Sequence, residues 1–266
     1  MECKNLNKND LIMGFYRGPN IVNDSLVSTL DAANNKSYTS GSLNWGNLVT
    51  TSLSGSILTG NLTTIIELNT NPTSLFISQS TSNSNNVFTA RLQFAENASI
   101  ELWYKTDTTG SGIANQSQSP GIIQIGSYAN NASLTLWDWS AGTPGQHNIR
   151  TFVNNGTIWS HVVSSTLSYS DSSWVGKYHQ IVMNFSGSAG KWNSYNLYID
   201  TTLAATFNFT IPFPSASIAG GNTLYAPGAN GGSAKNSYGL LRQYTKALTQ
   251  QEILQNYNAT KSRFNL

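Results

Sequence analysis

The sequence predicts an all-β fold, a single antiparallel sandwich, on three observations. Between Trp174 and Phe209, apolar residues recur at every second position through three consecutive segments. Short apolar runs bounded by Asn, Ser, Gly or Pro fill much of the chain before it, which is the spacing of an all-β domain. Only the last stretch, TQQEILQNYNATKSRF, changes to a helical period.

Residues 1–23 read as an N-terminal arm and 24–266 as the domain. Within the arm, Phe15 and Tyr16 precede a Gly-Pro turn and are candidates for docking, on the chain's own sheet or on a neighbour. A short strand follows, in which Leu26, Ser28 and Leu30 alternate with Val27, Thr29 and Asp31. The long loop after it carries Tyr38 and Trp45, aromatics placed to cap one end of a sandwich. SGSILTGN, TTIIEL, SLFISQS and NVFTARLQF are the next strand-like runs. In ENASIELWYKT, Ile100, Leu102 and Tyr104 oppose Glu101, Trp103 and Lys105, and GIIQIGS, SLTLWDW, IRTFVNN and TIWSHVVSST continue the series.

The meander comes next. Ile181, Met183 and Phe185 share one face of HQIVMNFSG; Tyr195, Leu197 and Ile199 repeat the pattern, as do Ala205, Phe207 and Phe209. Period-two alternation is what a strand with one dry face needs, because successive side chains point to opposite sides. SGSAGKWN reads as a flexible loop between the first two strands. Asp200-Thr-Thr lacks the glycine that a two-residue hairpin favours, so a longer turn is expected there. The last strand, GLLRQYTKAL, leads into the helix, where Thr249 is the expected N-cap and Glu252 completes a capping box. Ile253, Leu254 and Tyr257 form its expected buried face.

The 266 residues include 39% hydrophobic and only 10% charged residues, against roughly 25% charged in an ordinary domain. Ser, Thr and Asn make up about a third of the chain, giving a hydroxyl- and amide-rich surface. A net charge of +2 provides no basic stripe for nucleic acid. No apolar run approaches the roughly 20 residues of a membrane span, and MECKNLNKND is too polar for a signal peptide. One cysteine, Cys3, excludes an internal disulfide, so synthesis in a reducing cytosol is expected, with exit by lysis or by assembly into a particle.

Taken together, IELWYKT, WVGKYHQIVMNF, YNLYID and GLLRQYTKALTQQEILQNYNATKSRF resemble the concanavalin A-like, or laminin-G-like, jelly roll. The front, GPNIVNDSLVSTLDAANNKSY followed by Trp45, resembles laminin-G-like proteins of tailed-bacteriophage virions. The resemblance spans most of the chain and implies two packed antiparallel sheets of roughly six or seven strands each. It also implies a non-enzymatic virion structural protein, a capsid decoration or a tail- or fibre-associated component. Such a protein works by adhesion between subunits, as a homo-oligomer among other virion proteins. Polysaccharide-cleaving relatives carry an acidic ladder, Glu-x-Asp-x-x-Glu. Here ENASIE, with Glu96 and Glu101, lacks the middle acid, so no pair of carboxyls is offered for hydrolysis.

His147, His161 and His179 are too dispersed for a metal or catalytic pair. Calcium is the one cofactor weighed, since laminin-G-type relatives bind it at the sandwich rim. The available loop acids, Asp24, Asp31, Asp107, Asp138, Asp171 and Asp200, are not clustered. Carbohydrate recognition is the alternative function, with a host-surface glycan as partner. In SLTLWDW, Leu134, Leu136 and Asp138 share a face, while Trp137 and Trp139 share the other. Flat indoles stack on pyranose rings, Asp138 could take hydroxyls, and Trp192 could join from its loop. The same tryptophans also fit a core or a subunit interface.

Overall fold

The computed structural model describes residues 20–40, 42, 44–50, 53–57, 64–70, 73–79, 88–91, 95–109, 121–127, 132–139, 145–154, 159–214, 223–226 and 234–266. Phe15 and Tyr16 of the expected arm lie outside them. Among the described residues, two antiparallel sheets of eight strands each pack face to face, and a short C-terminal helix covers the outer side of the first.

The first sheet is built on β7 (Ala98–Thr106), β12 (His179–Ser188), β13 (Lys191–Ile199), β14 (Thr202–Pro214) and β16 (Ala234–Tyr244). They lie in the order β14-β13-β12-β7-β16, and β5 (Thr73–Gln79) and β4 (Thr64–Thr70) extend the sheet. β16 pairs with β7 along one side. Its other side takes β5 through Ala234–Tyr238 and β1 (Leu26–Asp31) through Leu240–Tyr244. The second sheet runs β11 (Trp159–Ser170), β10 (Gln146–Asn154), β9 (Ala132–Trp139), β8 (Gly121–Ser127), β15 (Thr223–Ala226), β6 (Phe88–Arg91), β3 (Gly55–Ile57), β2 (Asn44–Trp45).

The predicted alternation fills the space between the layers. Ile100, Leu102 and Tyr104 meet Ile181, Met183, Phe185, Tyr195, Leu197 and Phe207 from the first sheet, against Ile123, Ile125, Leu134, Leu136 and Ile149 from the second. Tyr38 and Trp45 join this core, Trp45 as the second residue of β2 rather than from a loop. Tyr195 carries its hydroxyl inside, bonded to Thr151 of the opposite sheet.

Three local expectations are corrected. SGSAGKWN is hairpin rather than flexible loop: β12 and β13 continue through it to a two-residue turn at Ala189 and Gly190, both at positive φ (53° and 70°). The next turn is equally tight, with Asp200 at φ 48° and Thr201 at φ 70°. Positive φ is costly for non-glycine residues. Here the Asp200 carboxylate offsets that cost by accepting the Gln180 N–H at 2.9 Å and bonding His179 Nδ1 at 2.7 Å.

The third concerns the helix. A connector, α1 (Asp171–Trp174), precedes β12; the C-terminal helix is α2 (Gln250–Thr260), followed by a 3-10 turn at Lys261–Phe264. The Thr249–Glu252 capping box forms with both reciprocal bonds. The buried stripe is Ile253, Asn256 and Thr260, whereas Leu254 is 39% exposed. Polar residues face inward because the sheet beneath is itself polar. Fully buried Glu101 accepts from Arg242 Nη1 (3.0 Å), Gln180 Nε2 (3.0 Å), Trp103 Nε1 (3.3 Å) and Asn256 Nδ2 (2.8 Å). Chain entry is tied to the same helix: the Val22 N–H donates to Asn256 Oδ1 at 2.8 Å. Gly239, at a bulge in β16, leaves room for the Phe264 ring, which stacks on Trp103 at 4.6 Å. Among the described residues no helix is long and apolar enough to cross a membrane.

Candidate functional site

The sequence-predicted site centres on β9, and the strand obeys its alternation. Leu134 and Leu136 lie in the core, and Asp138 follows them inside. Its burial is complete. Both carboxylate oxygens lie 2.9 Å from His147 Nδ1, and Oδ2 also accepts from Trp174 Nε1 at 3.0 Å. Asp138 is therefore a structural acceptor and presents no oxygen to a sugar. Trp192 is corrected in the same way. As the second residue of β13 it stacks on Phe185 at 4.0 Å, donates Nε1–H to the Ala95 carbonyl at 2.9 Å, and is wholly buried. A tryptophan met in a polar stretch turns inward here because the hairpin continues to its tip.

Trp137 belongs to the opposite side of β9 and is not part of the inter-sheet core, yet it is only 9% exposed. Its register partners are Gly121 on β8 and Arg150 on β10. Trp139, two residues on, stands opposite Asn148. Asn148 in turn pairs with Ser168 of β11, whose hydroxyl donates to the amide oxygen at 2.6 Å. Ile149 and Val153 of β10 point into the core, so Asn148, itself only 4% exposed, and half-buried Arg150 lie on the opposite side of the strand. Two short rows result, Gly121–Trp137–Arg150 and Trp139–Asn148–Ser168. Glycine beside an indole leaves that side without a competing side chain, while a guanidinium and an amide supply directional donors.

The sequence shows Arg150 only as one residue of the IRTFVNN strand and leaves Asn148 outside it. Pairing register, which periodicity does not carry, is what sets them beside the tryptophans. His147 is the second residue of β10, on the core side two positions before Ile149, and is fully buried. Its Nε2 lies 2.9 Å from Asp171 Oδ1. Burial draws the imidazole pKa down, but the bonds and charges of Asp138 and Asp171 outweigh it, and the net shift is upward.

The loop acids weighed for calcium all have other partners. Asp24 pairs with Lys246, Asp31 with Arg263, Asp107 with Lys105, Asp138 and Asp171 with His147, and Asp200 with His179. Among the described residues no group of three or more His, Cys, Asp or Glu side chains is arranged to hold a metal ion. Glu96 accepts the Gly190 N–H at 2.9 Å on the hairpin tip, and Glu101 is sealed under α2.

No protein-family model matches the chain, and no curated protein sequence does. Solved structures share its fold. The botulinum neurotoxin serotype D ligand-binding domain in complex with N-acetylneuraminic acid aligns with a TM-score of 0.56 at 15% identity, over 90% of this chain and 52% of that one. The botulinum neurotoxin DC binding domain in complex with SialylT gives 0.58 at 14% identity over 90% and 52%. The binding domain of Paraclostridial Mosquitocidal Protein 1 gives 0.59 at 12% identity over 87% and 52%. The likeness is one of fold, and the chain spans about half the length of each of these domains.

Proposed function

We propose that this chain is a non-catalytic binding module for carbohydrate, with the outward face of β9 and β10 as its contact surface. The observation that carries the reading is the register of that hairpin, which sets Arg150 opposite Trp137 and Asn148 opposite Trp139. Aromatic, guanidinium and amide groups in adjacent rows are a set suited to a pyranose. Its C–H face packs on an indole and its hydroxyls take the polar donors. The low-charge, hydroxyl-rich composition suits the same role. Further support comes from the fold, shared with binding domains that were solved with a sialic acid or with SialylT. On the sequence resemblance to phage virion proteins, we also propose that the module acts from a particle surface. There, several copies raise a modest single-site affinity through multivalency.

The test is a glycan array followed by titration of the best ligand. Trp139→Ala and Arg150→Ala are each expected to weaken binding by roughly tenfold or more, the scale of one lost charge-assisted or stacking contact. Trp137→Ala is a poor probe, because removing a nearly buried indole also disturbs the sheet. Unchanged affinity in both folded variants, or no binding to any glycan, contradicts the proposal.

A further inference from the structure

A cluster of ionisable side chains at the end of the sandwich lies outside the binding face. His147 Nδ1 is 2.9 Å from both oxygens of Asp138, and Nε2 is 2.9 Å from Asp171 Oδ1. An ionised carboxylate only accepts hydrogen bonds, so each ring nitrogen must carry a proton for both contacts to hold. With both carboxylates ionised, the geometry calls for an imidazolium between them. Its two partners belong to different parts of the fold: Asp138 is on β9, whereas Asp171 opens α1, the connector from β11 to β12. The ring is one of three ties of that connector to the hairpin region: Trp174 Nε1 also donates to Asp138 at 3.0 Å, and the Asp171 N–H to the Gly145 carbonyl at 3.0 Å.

The surroundings are aromatic and tightly stacked. Tyr169 of β11 is the register partner of His147 and stacks on Trp174 at 4.7 Å. Trp174 stacks in turn on His179 at 4.2 Å, and His179 bonds Asp200 at 2.7 Å. Tyr104, from the first sheet, has its pKa pushed well up by burial and then by the charge of Asp138, so it stays neutral.

We propose that Asp138–His147–Asp171 is a proton-operated latch. It holds α1 against the hairpin while His147 carries both ring protons, and releases the Asp171 end when one is lost. The break falls at Asp171 because that side chain is 32% exposed and can rehydrate, whereas Asp138 is sealed and bonded through both oxygens. The sign is fixed by the upward shift of the imidazole. A group whose pKa is raised by folding adds stability below its unfolded pKa and loses it as pH rises through the folded one.

The test follows His147 ring-nitrogen resonances across pH together with amide exchange of residues 171–175, corrected for the intrinsic rate. Both nitrogens are expected to be protonated at neutral pH. Exchange in α1 is expected to accelerate roughly ten- to hundredfold, with the midpoint of His147 deprotonation, on the alkaline side of an ordinary histidine. Asp171→Asn should move both midpoints to lower pH. A singly protonated His147 at neutrality overturns the latch, and so does α1 exchange that ignores the titration of His147.

Discussion

Replacing Arg242 by Met strikes the most deeply buried charge pair beneath α2. Arg242 is 5% exposed and Glu101 is fully buried, and the substitution removes the 3.0 Å bond from Nη1 to Glu101 and the 3.1 Å bond from Nη2 to Thr260. Breaking a buried ion pair from one side costs about 3–5 kcal/mol, because the surviving charge keeps its desolvation penalty without its counter-ion. Gln180, Trp103 and Asn256 still donate to Glu101, which places the expected loss near the lower end, about 3 kcal/mol. Replacing both partners, Glu101→Leu with Arg242→Met, removes the stranded charge. The double variant is therefore expected to be less destabilised than the sum of the two single changes by roughly 2 kcal/mol or more. Urea unfolding of the four proteins measures the cycle. An Arg242→Met loss below about 1 kcal/mol, or strict additivity in the double variant, refutes the view that this cross-strand pair is a coupled, stabilising contact beneath α2.

Thr201→Gly removes a β-branched residue from φ 70° and is expected to raise stability by about 1 kcal/mol in the same assay; a loss contradicts the strain assigned to that turn. The cap of α2 has its own pH signature. Burial raises the Glu252 pKa, but the bonds from Lys246 and Thr249 prevail and hold it below the ordinary value. A depressed folded pKa gives stability that is present above the unfolded pKa and lost as pH falls, so protection of the first-turn amides of α2, corrected for the intrinsic exchange rate, is expected to fall on acidification. Thr249→Ala, which breaks the box at neutral pH, is expected to cost about 1 kcal/mol and to reduce that pH dependence.

Period and capping were what the sequence made legible. Ile181, Met183 and Phe185 fall on the core face because alternation is a property of adjacent residues, and the Thr249–Glu252 box is a pattern within one turn. Features that depend on distant partners were hidden. Leu254 lies outward and Asn256 inward because Glu101, far back on β7, needs a donor. The Asp200–Thr201 turn tightens without glycine because His179 and Gln180 bond the Asp200 carboxylate. β15 went unread, since its four residues become a strand only between β6 and β8. Within the site, the tryptophans of SLTLWDW and the leucine-side position of Asp138 were visible, but its partners His147 and Trp174 were not, nor was the placement of Arg150 and Asn148.

An NMR titration of the indole N–H resonances with the best array ligand tests the binding face most directly. The chain has 7 tryptophans, and Trp45, Trp103, Trp174 and Trp192 are fully buried. Saturable shifts at Trp137 and Trp139, with those four unmoved, are the predicted result. A ligand that binds while both β9 indoles stay still contradicts the proposed face.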